Sequence, residues 1–419
     1  MIDQKNKPGL FYGWIVLLSC ILVTSSYAFV NNYGVFFSEL ETSFGWTRTL
    51  TSSVISVAYI FYAIGSIIVG KLMDKHSLKA ILAIVGAFLG AGLALCSQIQ
   101  ALWQLYLFFG VMVGLGISAS TTVAGATVQR WFVKRRGLAL GLQAAGMGIS
   151  GLILAPLSGH LIDLYGWRPT FIILGVVGFV VMLIASRFIV RTPAEKGLMP
   201  YGAEESSQAK RANSAPFPDR KWTMKQALRT KAAWMAWSIH FFASVAFLMI
   251  VVHIVPHAKD MGIPTTTAAG ALGLIMGFSI AGKILGGHFA DKIGFSKIIG
   301  ISTTLSAFTM LFLIGIRDVW MLYLFVALFG MAYGGKGATI GGMMGQLFGV
   351  ESLPPLMALL TTARAAGAIV GPMLGGYIFD STGSYTIAFI IGAACYAITA
   401  ILAFTVKPPP EKNASPLAS

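Results

Sequence analysis

The segment GKLMDK at residues 70–75 ends a long apolar run, and the segment GHFADK at residues 287–292 ends a second one. Both have the pattern Gly-x-x-x-Asp-Lys, and they lie 217 residues apart. The sequence predicts a duplicated unit, because more matches fall at this one separation than chance would produce. Two further pairs of segments have the same separation of 217 residues: WQLYLF (103–108) with WMLYLF (320–325), and DLYG (163–166) with DSTG (380–383).

Apolar residues make up 56% of the 419 residues and charged residues only 11%, against roughly 25% charged residues in an ordinary globular protein. A membrane-crossing helix needs about 20 apolar residues, whereas barrel strands alternate over about 10. We therefore predict an all-α membrane protein with twelve transmembrane helices in two pseudo-symmetric six-helix bundles. The apolar runs lie near 13–37, 52–70, 80–97, 102–128, 137–162, 167–189, 233–256, 266–290, 298–316, 319–346, 354–379 and 385–406.

A polar, basic stretch separates the first six runs from the last six. We predict an amino-terminal bundle at 1–189, a cytoplasmic linker at 190–232, and a carboxy-terminal bundle with a cytoplasmic tail at 233–419. The first run is too long for the apolar core of a signal peptide and has no cleavage site, so it is interpreted as the first span.

The chain has 30 Lys and Arg residues against 15 Asp and Glu residues. With both termini inside, 23 of the 30 cations fall in the terminal segments and in the loops after even-numbered spans. This asymmetry follows the positive-inside rule and accounts for the net charge of +15 without a nucleic-acid partner. We expect a monomer in the plasma membrane (the inner membrane of a bacterium), with cytoplasmic termini.

The repeated Gly-x-x-x-Asp-Lys element resembles the major facilitator superfamily signature of the loop between spans 2 and 3, which continues x-Gly-x-Arg/Lys. The second copy keeps Gly294, whereas the first has Ser77. The resemblance implies a twelve-helix transporter with a conformational latch in these loops. Glycine lets helices touch, and the aspartate can pair with a helix amino terminus or with basic residues; the alternative is a solvated turn. The latch candidates are Gly70, Asp74, Lys75, Gly287, Asp291, Lys292, Arg135 and Arg136.

Two further stretches resemble the monocarboxylate transporter and oxalate–formate antiporter branch of that superfamily. FYGW (11–14) is followed by SYAF (26–29) and VFF (35–37), and RWFVKRRGLA (130–139) leads to AGMG (145–148). The resemblance implies transport of small carboxylates such as lactate, pyruvate, oxalate or formate, with protons where transport is proton-coupled. It implies no cofactor.

Three cations lie within predicted spans: Lys283, Lys336 and Arg364. Embedded ionisable residues are costly and usually mark a substrate or ion pathway, although such side chains can also extend to the membrane surface. The branch places cations at Lys283 and Arg364, while Lys336 fits neither pattern. All Asp and Glu residues fall in loops or at span ends. Our hypothesis is that the substrate anion is the missing counter-ion.

Polar residues in the predicted spans complete the substrate-site candidates. Each could instead form a plain hydrogen bond between helices. The resemblance to the antiporters implies that Thr121, Tyr333 and Thr361 are at positions that often face the substrate. These candidates are Asn31, Asn32, Tyr33, Thr121, Gln143, Tyr333 and Thr361.

Two modes of coupling are compatible with the sequence, proton symport and anion exchange. Animal monocarboxylate transporters have a lysine in span 1 and an acidic residue in span 8, and the matching positions here are Asn31 and Ser279. Histidine titrates near neutral pH, so His240 and His253 are candidates for proton coupling, together with Asp260. The alternative is anion exchange, which needs no titrating residue.

Other function classes fit the sequence less well. Drug pumps usually need embedded acids, and sugar porters would use more Asn, Gln and Trp. A non-transporting anion sensor and a dicarboxylate exchanger are retained as alternatives. Cys20, Cys96 and Cys395 have no paired spacing, so no disulfide framework or metal site is predicted. The spans contain no His/Asp/Glu cluster and no Ser–His arrangement, so we predict that the protein is not an enzyme.

Overall fold

The protein is described by a computed structural model that covers residues 11–202, 222–349 and 352–410, without the side chains of Arg136, Pro354 and Pro355. Twelve helices in these ranges are long and apolar enough to cross a membrane, so the predicted all-α membrane fold is confirmed. They are α1 Tyr12–Phe44, α2 Arg48–Leu72, α3 Leu78–Cys96, α4 Leu102–Trp131, α5 Gly137–Tyr165, α6 Trp167–Phe188, α7 Lys231–Asp260, α8 Thr265–Ile293, α9 Phe295–Ile314, α10 Val319–Phe348, α11 Leu356–Thr382 and α12 Thr386–Thr405.

Short connections make successive helices run in opposite directions, so the helix ends define two faces. We call the face where α2, α4, α6, α8, α10 and α12 end the basic face, since it has most of the Lys and Arg residues. The other, where α1 and α7 end, is the opposite face. In the connection between α6 and α7, the described residues form two short helices, Pro193–Lys196 and Met224–Ala227. The bundle boundaries stay a prediction, because residues 203–221 of the predicted linker lie outside the described ranges.

The first helix is irregular within the predicted membrane. α1 consists of Tyr12–Ser25, Tyr27–Asn31 and Tyr33–Phe44. At the first break, the hydroxyl of Ser26 donates to the carbonyl of Val23 at 2.7 Å, so this buried hydroxyl has a partner in its own helix. Interrupted helices are tolerated at membrane depth only where protein surrounds the freed backbone, and Ser26 is buried.

Several helices extend past the apolar runs seen in the sequence. α1 continues through Glu39 and Glu41 to Phe44, and α2 begins at Arg48 with the Thr47 hydroxyl accepting from the amide of Leu50. Charged residues are compatible with a helix end that has reached the membrane surface. Hydropathy therefore detects the crossing segment rather than the whole helix.

Glycines bring α8 and α10 into direct backbone contact. A Cβ added to Gly282 would lie 2.0 Å from the Met331 carbonyl oxygen, and one added to Gly334 would lie 2.0 Å from the Ser279 carbonyl oxygen. Small residues permit such close packing between membrane helices. Lys283 directly follows the first of these glycines, so the contact also fixes the position of a helix with an embedded cation.

Replacing Gly334 by alanine is expected to lower the free energy of unfolding by about 3 kcal/mol, because the new methyl group meets a backbone oxygen that cannot move aside. Thermal unfolding of the purified protein in detergent measures this change. Gly341→Ala is the matched control on the same helix, since nothing lies within 4 Å of its added Cβ. Equal stability of the two variants would contradict the packing argument.

Candidate functional site

A cavity of about 350 Å³ lies between the two halves of the chain, in the part of the bundle nearer the basic face. Its walls come from α1, α2, α4 and α5 in the first half and from α7, α10 and α11 in the second. Among the described residues that line it there is no aspartate or glutamate. Its charged lining residues are Arg364 and Lys336, and His240 lies on the same wall.

Arg364 is held by an aromatic hydroxyl rather than by a carboxylate. Its Nη2 donates to the Tyr27 hydroxyl at 2.7 Å, and its guanidinium lies 5.3 Å from the centre of the same ring. This bond crosses from α11 to α1 and therefore joins the halves. A guanidinium has five N–H donors in a fixed fork, so one bond to a neutral oxygen leaves capacity for an anion.

The other embedded cations differ in their surroundings. The side chain of Lys336 is 6% exposed and faces the cavity. Lys283 does not line the cavity: its Nζ donates to the Ala144 carbonyl of α5 at 3.3 Å. Neither forms an ion pair with a carboxylate within the described residues. The predicted cation site therefore contains Arg364 and Lys336, with Lys283 beside it at the α5–α8 contact.

Three tyrosines that are not among the predicted site residues form a cluster on the first-half wall. The ring centres of Tyr27 and Tyr62 are 5.5 Å apart, and those of Tyr27 and Tyr59 are 6.1 Å apart. The Tyr62 hydroxyl is 2.7 Å from the Thr121 hydroxyl, and the Tyr59 hydroxyl donates to the Asn31 side chain at 2.9 Å. The spacing of Tyr59 and Tyr62 places them on one helix face and could have signalled this cluster.

Five of the ten predicted substrate residues line the cavity, and the other five, Lys283 among them, do not. Thr121, Tyr333, Lys336 and Thr361 face the cavity together with Arg364. The side chain of Asn31 accepts from the Tyr59 hydroxyl, and Asn32 donates to the Ser158 hydroxyl at 2.6 Å. Tyr33 donates to the Thr51 carbonyl at 2.8 Å, and Gln143 donates to the Thr24 hydroxyl at 2.5 Å. These four form interhelical contacts outside the cavity.

The three proton-coupling candidates fall in two places. His240 lines the cavity, and its Nδ1 is buried without a hydrogen-bond partner. His253 is completely buried toward the opposite face, between the Tyr385 hydroxyl at 3.0 Å and the Pro372 carbonyl at 2.8 Å. Asp260 belongs to an ion-pair cluster at that face, centred on Arg48.

Arg48 closes the opposite face by joining the two halves. Its guanidinium binds Asp260 through two bonds of 2.6 and 2.8 Å and donates to the Tyr385 hydroxyl at 2.8 Å. It also lies 3.6 Å from the centre of the Phe379 ring and binds Glu41 at 3.1 Å. Bidentate arginine–carboxylate pairs are among the stronger polar contacts in proteins.

The repeated Asp-x-x-Gly motif reinforces this closure at two equivalent positions. Asp380 at the end of α11 accepts from the amides of Arg48 and Thr49 at 2.9 and 2.8 Å, at the start of α2. Asp163 near the end of α5 accepts from the Thr266 hydroxyl at the start of α8. In each case a carboxylate of one half reaches the amino-terminal turn of a helix in the other half, where negative charge is favoured.

The family model of the Major Facilitator Superfamily matches residues 19–293 and 275–419. The chain belongs to the major facilitator superfamily. Among curated proteins it is similar to Monocarboxylate transporter 4 of Rattus norvegicus, with 29% identity over 406 residues that cover 93% of this chain and 82% of the relative. It is also similar to Monocarboxylate transporter 13 of the same species, with 25% identity over 399 residues, 94% of this chain and 89% of the relative. The predicted superfamily and its monocarboxylate transporter branch are confirmed.

Solved structures share the superfamily fold at low identity. A crystal structure of a bacterial homolog to the human lysosomal transporter Spinster, in an inward-facing and occupied conformation, has a TM-score of 0.69 at 16% identity. The unoccupied inward-facing form has a TM-score of 0.67 at 15% identity. Each comparison covers 96% of both chains. At this identity the likeness concerns the fold alone.

The predicted superfamily latch lies at the basic face. Asp74 binds Arg130 at 2.9 Å, and its carbonyl accepts from Arg191 at 2.9 Å, so the first copy is engaged within its own half. The methyl carbon of Thr122 lies 3.5 Å from an added Cβ on Gly70. Lys75, Asp291 and Lys292 are exposed, Gly287 has open space around it, and Arg135 has a left-handed backbone. The side chain of Arg136 lies outside the described part of the chain.

Proposed function

We propose that the protein is a secondary active transporter of small organic anions, namely monocarboxylates such as lactate or pyruvate, that works by alternating access. The observation that supports this most is a cavity between the halves with Arg364 and Lys336 on its wall and no carboxylate among its described lining residues. Unpaired buried charge is costly, so a bound carboxylate would stabilise the cavity. The names of the similar monocarboxylate transporters point to the same class of substrate.

The proposed transport cycle uses closure at one face at a time. A carboxylate enters from the basic face and binds the guanidinium of Arg364, and the Tyr27 hydroxyl keeps that side chain in position. The two halves then move relative to each other around the bound anion. This movement breaks the Arg48 cluster at the opposite face and closes the basic face. In this movement α5 slides along α8, and Lys283 exchanges its bond to the Ala144 carbonyl for a position beside the anion.

The proposed setting follows the charge distribution. We place the protein in the plasma membrane, or the inner membrane of a bacterium, as a monomer with its basic face and termini in the cytoplasm. The latch pairs of Asp74 and Asp291 would then form across the halves when the basic face closes. Major facilitator proteins with two parallel repeats bind substrate near the bilayer midplane between them.

A dicarboxylate exchanger of the oxalate type is the second candidate. It is favoured by the second cation in the cavity, Lys336, because two carboxylates could pair with two cations. A non-transporting anion sensor is the third candidate function, and a measurement of flux distinguishes it from the two transporter functions.

The test is transport in proteoliposomes that contain the purified full chain. Uptake of radiolabelled lactate is measured with a pH gradient, with unlabelled lactate inside, and with unlabelled oxalate inside. We expect lactate to exchange with internal lactate and to be retained only in vesicles that contain the protein. Stimulation by oxalate alone would favour the dicarboxylate exchanger. Thermal stabilisation by lactate without any flux would identify a sensor.

A further inference from the structure

We propose that Lys336 couples anion movement to proton movement: its amine is neutral in the empty cavity and takes up one proton when a carboxylate binds beside it. The inference rests on the proposed function, since it names the coupling residue of that cavity. It assigns to Lys336 a role that the lysine of span 1 and the acid of span 8 have in animal monocarboxylate transporters, where this chain has Asn31 and Ser279.

The amine of Lys336 lies at the cavity wall, largely shielded from solvent and without a polar partner among the described residues. The residue is 6% exposed, and no hydrogen bond or ion pair of its side chain is present within the described ranges. Its helix cannot rotate freely, because Gly334 contacts the Ser279 carbonyl and Gly335 contacts Gly286 of α8. The side chain is therefore held against the cavity by backbone packing on the other side of α10.

Within the described ranges, every charged or titratable side chain that faces Lys336 is a cation or a weak acid. The second half presents Arg364 on α11, His240 on α7 and Tyr333 on α10 itself. α8, which packs against α10, contributes Lys283 beside the cavity, and its acid Asp291 is exposed at the basic face. The first half presents the hydroxyls of Tyr27, Tyr59 and Tyr62.

These surroundings disfavour an ammonium ion in the empty cavity. A buried charge without a counter-ion is costly, and a second cation nearby adds to that cost. Arginine keeps its proton under such conditions, whereas lysine releases it. The empty site therefore holds one fixed positive charge, on Arg364, and one amine that can accept a proton.

Anion binding reverses this balance. The carboxylate brings a negative charge next to both side chains, so an ammonium on Lys336 gains a counter-ion. The amine takes its proton from water on the side to which the cavity is open, and one carboxylate and one proton then cross together. When the carboxylate leaves at the other side, the ammonium returns its proton to water there. The charge of the cavity is the same at the end of each step.

Lys336→Arg separates the two roles of this residue, because arginine keeps the positive charge but cannot release a proton. Purified protein in weakly buffered detergent solution is mixed with lactate, and proton uptake is followed with a pH-sensitive dye. The parent is expected to take up about one proton per bound lactate, and Lys336→Arg about tenfold less. Lys225→Arg, an exposed lysine outside the spans, is the matched control and should behave as the parent.

The same variants are compared in proteoliposomes by the ratio of gradient-driven lactate accumulation to lactate exchange. We expect this ratio to fall about tenfold or more in Lys336→Arg, and also in Lys336→Met, which is permanently neutral.

Parent-like proton uptake by Lys336→Arg would overturn the assignment. Loss of coupling in His240→Gln alone would overturn it in favour of the cavity histidine. Exchange by the parent without proton uptake would end the inference and leave the proposed function standing, whereas absence of both lactate binding and flux would end both.

Discussion

Replacing Arg364 by glutamine is expected to reduce the rate of lactate transport by about 100-fold, since truncating one partner of a buried charge pair costs about 2–5 kcal/mol. Arg364 is the cavity residue whose positive charge is permanent, and its one described hydrogen bond is to a neutral hydroxyl. An anion at this site would lose its strongest partner. Initial rates and KM for radiolabelled lactate in proteoliposomes measure the loss.

Tyr27→Phe is the matched variant for this prediction. It removes the hydroxyl that binds Arg364 but keeps the aromatic ring on which the guanidinium lies. We expect transport to fall only about fivefold, because one neutral hydrogen bond contributes about 1 kcal/mol. A larger defect in Tyr27→Phe than in Arg364→Gln would show that the anion is bound elsewhere. Both variants must unfold at the temperature of the parent for the comparison to stand.

Replacing Arg48 by glutamine is expected to open the opposite face and to slow transport. The residue is 6% exposed, and its guanidinium binds Asp260 and Tyr385 of the other half. Breaking a buried ion pair by removal of one partner costs about 3–5 kcal/mol. That energy favours the arrangement closed at this face, so its loss shifts the equilibrium toward the open arrangement by roughly 100-fold or more.

Labelling of a cysteine placed behind this closure measures the shift. Ser56 is buried on α2, where its hydroxyl donates to the Ile369 carbonyl of α11 at 2.9 Å. In a background without native cysteines, Ser56→Cys should react with a membrane-impermeant thiol reagent much faster when Arg48→Gln is added. Arg130→Gln is the control, because it breaks the Asp74 ion pair within the first half at the basic face. Unchanged labelling in the Arg48 variant would rule out the closure role.

The polar residues of the spans show where prediction from the sequence is limited. The sequence predicts a substrate role for Arg364, because an embedded ionisable residue usually marks a substrate or ion pathway, and the residue does line the cavity. Polarity within a span predicts the same role for Asn32 and Gln143, yet they bind Ser158 and Thr24 between helices. Hydropathy records that a polar residue lies in a span, but it does not record which neighbour the helix face meets.

The contacts at the opposite face likewise could not be predicted from the sequence. The Asp-x-x-Gly repeat was recognised only as a sign of duplication, and its carboxylates Asp163 and Asp380 prove to bind the first turns of α8 and α2 in the other half. Arg48 belongs to none of the motifs singled out in the sequence, yet it has a central place in the closure. Contacts between residues more than 200 positions apart, such as Arg48 and Asp260, leave no local pattern in the chain.

The membrane class, the twelve helices, the duplication and the superfamily could be predicted from the residues alone, because each depends on local composition or on matches at a constant separation. Which face of each helix meets the cavity, which cations share it, and which end of the bundle is closed became known only from the packed helices. Those features depend on rotation and tilt of helices in contact, set at the α8–α10 interface by glycines that allow backbones to touch. A helix of the same composition turned by a quarter of a turn would present different side chains to the substrate.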